Sequence, residues 1–301
     1  MNFFEDTLAE RARIEAAIQK YGYAPEHNFL WYEFYREEGE KNVFAACDDG
    51  SGLLTIEERA KKTIMVFSSP IAPPPRRVPM LIEYLEYIFQ SPEIQKVTLE
   101  LETPLRKEFL RALPSRFRAR AINYSLTWPI YNLKTFNPAL SGKHYKSLRK
   151  AKNKFYRSHA VHTEDARAYG DKNALHRIID EWRKKRGGHD RAYSSEYHHI
   201  IDGNFAGTTE ARVFIVDGRP TGMNAGWMIP QSSRFYGAIG IHDYSSEDLG
   251  DMLYLEDLIW LKNHGYAEAD MAGGEKALTA FKNKFQPESF YKTHVFSVVK
   301  A

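Results

Sequence analysis

Cysteine is almost missing. Cys47 is the only one among 301 residues, which excludes an internal disulfide, a zinc knuckle and a two-cysteine redox pair and suits a reducing cytoplasm. Long apolar runs are missing too. The longest uncharged stretches, such as 121–133, fall well short of the ~20 apolar residues that span a bilayer. The start, "MNFFEDTLAERARIEAAIQKYG", is acidic early and periodic, so a surface helix is expected there rather than a signal peptide. There is no P-loop, no dinucleotide fingerprint and no Gly-x-Ser-x-Gly elbow. His198 and His199 are adjacent rather than at ligand spacing, and no metal or resident cofactor is expected. With 43% hydrophobic and 14% aromatic residues, a soluble cytoplasmic globular protein of one large or two smaller domains follows.

One further absence is local. From Phe109 to Thr163 there is no Asp or Glu, while twelve of the 42 basic residues lie there; the rest of the chain sets 39 acidic residues against 30 basic ones. A positive band on an otherwise acidic protein attracts a polyanion, unless acids elsewhere in the fold pair with it. Within the band, "GKHYKSLRKAKNKFYR" reads as a helix from about Gly142 to Arg157. Projected at ~100° per residue, Tyr145, Leu148, Ala151, Phe155 and Tyr156 share one side. Lys143, Lys146, Lys150, Lys154 and Arg157 share the other, with Arg149 and Asn153 at the margin. Such a helix anchors by its rings and offers cations to phosphates.

Along the chain, "FLWYEFYREEG", "NVFAACDD", "GLLTIEE" and "KTIMVFSS" read as strands, and "PIAPPPRRVP" as a stiff proline-rich loop. Helix "MLIEYLEYIFQ", strand "KVTLEL", helix "PLRKEFLRAL" and strand "FRARAINYSLTWPI" follow. The later part contains a helix at "ALHRIIDEWRKK" and strands "ARVFIVDG", "RPTGMNAGWMI" and "SRFYGAIGIHD". Helix "DMLYLEDLIWLKNHG", strand "YAEADMA", a short helix and strand "SFYKTHVFSVVK" end it. The expected class is α/β, in the α+β sense of mixed sheets flanked by helices, divided into halves at 1–133 and 134–301.

The short helix lies in "GGEKALTAFKNKFQP", Gly273 to Pro287. Two glycines open it, Phe281 and Phe285 stand at helical spacing, and Lys282 and Lys284 lie between them. Together with "LSGKHYKSLRKAKNKF", this stretch resembles the C-terminal domain of the lysyl-phosphatidylglycerol synthase family, best from about Asn132 to Pro287. The resemblance implies two tandem GNAT-like halves, the second holding the active site. It also implies transfer of an aminoacyl group from aminoacyl-tRNA to a lipid head group, to a peptidoglycan peptide in the related Fem ligases, or to a small hydroxylamine in valanimycin biosynthesis. The membrane-embedded half of the lipid synthases is not in this chain, so a soluble acceptor is expected. By the family match Lys282 is the functional lysine, near the acyl carbonyl or a donor phosphate, and Lys284 has no counterpart. A lysine merely extending to solvent beside a buried ring is the plainer reading.

Aminoacyl transfer needs an oriented nucleophile, a base and an oxyanion partner. Gly237 and Gly240 inside a strand suggest a bulge that brings backbone close to a ligand, and Gly240 is the candidate oxyanion donor. Asp243 and Asp270 at strand ends are candidate bases or ammonium partners, and His242, Asp248, Gly273 and Gly274 are candidate substrate contacts. Acyl-CoA enzymes of this fold carry a glycine-rich turn for pyrophosphate. The corresponding "HDYSSEDLGDMLY" has one glycine, Gly250, and three acids, Glu247, Asp248 and Asp251, which repel phosphate where a helix N-terminus would otherwise attract it. "EWRKKRGGHDRAYSSEYHHI" reads as a basic loop beside the cleft or as the charged end of a helix. Three functions stay open here: an aminoacyl-tRNA-dependent transferase, an acyl-CoA-dependent N-acyltransferase, and a non-catalytic nucleic-acid-binding protein.

Overall fold

The structure, a computed structural model, describes residues 1–187 and 194–301. The N-terminal part runs β1 (Asn2–Phe4), α1 (Arg11–Tyr21), α2 (Phe29–Tyr35), β2 (Glu40–Ala46), β3 (Gly52–Glu58), β4 (Thr63–Ile71), α3 (Pro74–Ile88), β5 (Lys96–Glu102), α4 (Thr103–Ala112) and β6 (Phe117–Asn132). The remainder runs α5 (Lys146–Ser158), β7 (Val161–Asp165), α6 (Lys172–Arg186), α7 (Ser195–Asp202), β8 (Glu210–Val216), β9 (Arg219–Met228) and β10 (Arg234–His242). It ends with α8 (Leu249–Asn263), β11 (Glu268–Asp270), α9 (Lys276–Asn283) and β12 (Ser289–Lys300).

Three segments differ from their sequence reading. "FLWYEFY" is helix α2, not a strand: Asn28 accepts the Trp31 N–H at 3.1 Å as an N-cap, and Phe29 and Tyr32, three apart, are buried on one helical face. The proline-rich loop is the beginning of α3. Pro74 and Pro75 occupy its first positions, where an N–H would have no helical partner, and Met80, Leu81, Tyr84 and Leu85 bury its inner face. The N-terminal helix is preceded by β1, which pairs antiparallel with β2.

Among the described residues the twelve strands form one sheet in the order β1-β2-β3-β4-β5-β12-β6-β11-β10-β9-β8-β7. The last strand, β12, lies between β5 and β6 and is antiparallel to both. Most of the sheet is antiparallel; β4–β5 and β10–β11 are parallel, with α3 and α8 as their crossovers. Beyond β11, residues 118–126 of β6 pair on the β12 side alone among the described residues. The exposed Arg118 and Arg120 lie on that stretch, charges that discourage strand addition.

One core joins α1 and α2 with α6, α7, β8, β9 and β10; Trp31, Tyr32, Phe67, Trp128, Trp182 and Trp227 all belong to it. Side chains clamp the same seam: Asn28 donates to the Gly207 carbonyl at 2.8 Å, and Trp227 Nε1 to the Pro25 carbonyl at 2.8 Å. On β12, Phe296 is fully buried with its ring 6.0 Å from that of Phe109. Phe296→Ala is expected to cost about 3–5 kcal/mol of stability in urea unfolding. A loss below about 1 kcal/mol would mean that β12 is not packed this way.

Candidate active site

β10 and β11 run parallel for only three residue pairs, the last being Tyr236 with Asp270. Beyond it β11 ends, and the chain turns through Met271–Gly274 to bridge Thr127 of β6, with N–H···O distances of 2.9 and 3.0 Å. β10 bulges between Gly237 and Ile239 and continues paired with β9. The two parallel strands thus part at their C-terminal ends, the place where parallel strands of α/β folds bind ligands.

Lys282 reaches this point from α9. It is buried, so the solvent-extending reading does not hold. Its Nζ donates to the Met271 carbonyl at 2.5 Å and the Ala272 carbonyl at 2.9 Å. The helix is seated by the fully buried Phe285 and the half-buried Phe281, and by the Tyr131 hydroxyl donating to the Lys282 carbonyl at 2.8 Å. Burial pulls the ammonium down to about 7, against the opposing pull of Asp270. Lys284 points elsewhere: it forks onto Asp251 at 2.8 and 2.9 Å and lies 5.1 Å from the Phe281 ring centre.

Asp270 is fully buried. Its Oδ2 accepts the Tyr291 hydroxyl at 2.7 Å, and its Oδ1 has no hydrogen-bond partner. Burial pushes the carboxyl up to about 7, although Tyr291, Arg234 and Lys282 all favour the charged form. An acid and an amine that both titrate near neutrality and feel each other's charge suit proton transfer at physiological pH.

Two tyrosines and several acids surround this pair that the sequence did not single out. Tyr291 stacks on Trp128 at 5.5 Å, Trp128 lies 6.1 Å from Tyr236, and Tyr236 meets Trp227 edge-on at 5.2 Å. Trp128 donates to Thr293 at 2.9 Å, and Thr293 donates to Glu100 at 2.5 Å. The half-buried Glu26 feels both Glu100 and Asp270; burial first, then those charges, push it up to about 8. Apart from this group, Glu196 on α7 lies beside Tyr35 and Glu37; it is buried and likewise pushed up to about 8 by burial, with Oε2 unpartnered. A cleft of about 250 Å³ opens beside Tyr291, between Tyr23, Glu102 and Arg234. A larger surface cleft, about 390 Å³, lies against α1, where Arg11 and Glu15 pair with each other at 2.9 Å.

The remaining sequence candidates are placed as follows. Gly237 is the glycine at the bulge; a Cβ there would lie 2.8 Å from Met271 Sδ. Gly240 is exposed beyond it, with nothing closer than 3.7 Å to a Cβ. Asp243 is engaged in a turn, accepting the Ser245 N–H at 2.9 Å. Asp248, at φ +62°, is the N-cap position of α8 without a side-chain cap bond. His242 lies over the start of that helix, so close that a Cβ on Gly250 would be 2.6 Å from its Nε2; burial lowers its imidazole to about 4. Gly273 presses on Trp128, where a Cβ would sit at 2.6 Å, and Gly274 carries the bridge to Thr127. Both glycines hold the turn whose carbonyls bind Lys282.

Helix α5 starts at Lys146, later than read, and buries Leu148 and Phe155. Lys143, Lys146, Lys150, Asn153, Lys154 and Arg157 are exposed. Lys154 pairs with Glu247 at 2.5 Å, which ties the helix to the turn before α8. Arg149 instead donates to the carbonyls of Leu140 and Gly142, and Arg157 Nε to the Asn153 carbonyl at 3.0 Å. From α6, Arg186 Nε donates to the Tyr244 hydroxyl at 3.0 Å, and its charge disfavours the ammonium of Lys282. The loop reading after Gly187 falls partly on 188–193, which lie outside the described residues. Among the described residues no group of three or more His, Cys, Asp or Glu is arranged to hold a metal ion, and no helix is long and apolar enough to cross a membrane.

A mixed sheet flanked by helices, with a splayed strand pair and a buried acid and lysine at the split, defines a GNAT-like tandem fold of the acyl- and aminoacyl-transferase type. The chain belongs to the phosphatidylglycerol lysyltransferase C-terminal family, whose profile matches residues 26–233. Among solved structures it is similar to L-PGS from Bacillus licheniformis, with 16% identity, 96% of this chain and 91% of that one covered, and TM-score 0.67. It is also similar to FemX, with 12% identity, 99% and 97% coverage and TM-score 0.62. A tandem GNAT protein from the clavulanic acid biosynthesis pathway shares 12% identity over 99% and 98%, with TM-score 0.57. No curated protein of known function matches significantly.

Asp270 gives a pH test. A carboxyl that keeps its proton to about 7 when folded, against an ordinary 3.8, contributes less to stability as pH rises between those values, because the folded state then binds more protons than the unfolded one. Asn cannot ionise. Relative to the parent, Asp270→Asn should therefore be more stable at pH 8 than at pH 5, by on the order of a few kcal/mol. Equal differences in melting temperature at the two pH values would show that Asp270 is not held dry.

Proposed function

We propose that this chain is a cytoplasmic aminoacyltransferase that moves an aminoacyl group from aminoacyl-tRNA to the amino or hydroxyl group of a soluble acceptor. The observation that carries the choice of donor is the closed N-terminus of α8. Acyl-CoA enzymes of this fold seat pyrophosphate on that helix. Here His242 covers Gly250, and Asp251 and Glu247 fill the approach with carboxylates already paired to Lys284 and Lys154. Phosphates have a different landing place, the exposed cations of α5 beside that turn, with Arg186 nearer the cleft.

The donor ester is already activated, so the residues have three tasks. The ridge holds the nucleic-acid body. Asp270 takes the proton of the attacking group, its unpartnered Oδ1 being the available acceptor. Lys282 spends two of its three ammonium hydrogens on the Met271 and Ala272 carbonyls, which fixes the third for the oxygen that becomes negative in the tetrahedral intermediate.

Calorimetry with acetyl-CoA and with aminoacyl-tRNA tests the donor: micromolar CoA affinity without a response to tRNA would overturn this reading. Reversing Lys146 and Lys150 to Glu should lower tRNA affinity and reduce the salt slope by roughly 2, one unit per phosphate contact. Unchanged binding would make the ridge solvated surface. At the acyl centre, Lys282→Met should lower turnover by about 10²-fold or more, whereas Lys284→Met, at a half-exposed ion pair, should stay within about threefold. Comparable rates for the two variants would remove Lys282 from the chemistry.

A further inference from the structure

His176 on α6 and His198 on α7 meet where the two helices pack. Their Nδ1 atoms are 2.8 Å apart, the ring planes are 17° from parallel, and the ring centres are 5.1 Å apart. That separation equals the Nδ1···Nδ1 distance plus one ring radius at each end, so the two nitrogens point at each other along the line between the rings. Each ring turns its other nitrogen to a carboxylate: His176 Nε2 is 3.2 Å from Asp202, and His198 Nε2 is 3.5 Å from Asp180. Both rings are half-buried and both carboxylates exposed. The other polar groups nearby are engaged elsewhere. His199 Nδ1 meets the Phe34 carbonyl of α2 at 2.8 Å, Ser195 bonds Glu37, and Arg177 reaches back to Asp171 at 3.4 Å. Glu196 faces Tyr35 and Glu37 and feels the charge of Arg183. The face of α6 toward β9 and β10 is apolar, with Leu175, Ile178, Ile179 and Trp182 in the core.

These three contacts fix the number of protons. An ionised carboxylate only accepts, and a neutral imidazole has one N–H. Each Nε2 therefore needs a hydrogen and the Nδ1 contact needs one more, three in all on two rings. With two, a nitrogen lone pair faces a carboxylate or the other nitrogen; with four, two N–H groups oppose each other at 2.8 Å. A metal ion does not fit in the proton's place, since two metal–nitrogen bonds of about 2.0 Å need about 4 Å. We propose that His176 and His198 share one proton between their Nδ1 atoms, as a singly charged pair held by Asp180 and Asp202, and that this pair is a pH-sensitive latch between α6 and α7. It holds best near neutral pH. It weakens in acid, where a fourth proton arrives, and in alkali, where the third leaves. Burial lowers His198, against the pull of Asp180, and the charge of His176 lowers it further, so the pair resists the fourth proton as a unit. Helix α6 ends at Arg186, which bonds Tyr244 and whose charge acts on Lys282, so the latch braces the helix that reaches the candidate site.

The sign of the pH dependence follows from the count. Unfolded, two histidines of ordinary 6.5 bind more than three ring protons below that pH and fewer above it, against three in the folded pair. The latch's contribution to stability therefore rises with pH up to about 6.5 and falls beyond it. A histidine merely paired with a carboxylate would only lose stability as pH rises, and one buried neutral would only gain it. NMR of the full chain, labelled with heavy nitrogen in its histidines, reads the shared proton directly. At about pH 6.5 the two Nδ1 atoms should show a coupling across the hydrogen bond, lost at about pH 4.5. No coupling, with the two rings titrating independently, overturns the proposal. Replacing both residues, His176→Phe with His198→Phe, keeps the rings and removes the protons. The difference in melting temperature between the parent and this double variant should be greatest at about pH 6.5, and smaller by several degrees at about pH 5 and about pH 8. A difference that changes in one direction only across that range overturns the latch. Should the double variant not fold, the coupling in the parent and its pH dependence decide by themselves.

Discussion

The hydrogen bonding of β12 along both of its edges, to β5 on one side and β6 on the other, is the constraint from which the cleft follows. It brings Tyr291 beside Trp128 and Thr293 beside Glu100, so a strand late in the chain supplies the hydroxyls that bond an acid of β5 and an acid of β11. Without that insertion Glu100 would lose the Thr293 hydroxyl. Asp270, next to Tyr236 at the last parallel pair, would lose the hydroxyl that fixes its rotamer.

Charge is unevenly distributed among these elements. Cations lie on α5 and at Arg186, and acids collect toward the seam with α2 and β5. Burial shifts Lys282 down and Asp270 up although the two favour each other's charge. Neither forms a direct ion pair, since Lys282 is bonded to backbone carbonyls and Asp270 to a phenol, and desolvation then exceeds their mutual attraction.

Local periodicity made the elements that carry Lys282 and the basic ridge legible. Phe281 and Phe285 at i and i+4, and the one-sided cations of α5, mean the same thing in sequence and in space. The strand glycines pointed to the bulge, although Gly237 and not Gly240 sits at it. Aromatic richness misled at α2, because rings favour strands on average while Asn28 specifies a helix start. Prolines misled at α3, because their first-turn role looks like a loop. Glu26, Glu100 and Glu196 were out of reach for a different reason. In "KVTLELE" the alternation places Glu100 on the polar face of its strand, and only the long-range pairing with β12 gives it the Thr293 hydroxyl as a partner. Glu26 and Glu196 come from segments far apart in the chain, and His242 over Gly250 depends on a turn whose shape no spacing records.

The position of β12 also orders events in time. Its partners in β5 and β6 are translated more than 150 residues earlier, so during synthesis they present an open slot in the middle of the sheet until the last strand arrives. Pairings this distant in sequence are slow to form and leave hydrophobic edges exposed meanwhile. Tyr291 and Thr293 travel on that strand, which makes the cleft one of the last features to assemble. A partly folded chain would therefore already display the cations of α5 before it possessed a reaction centre.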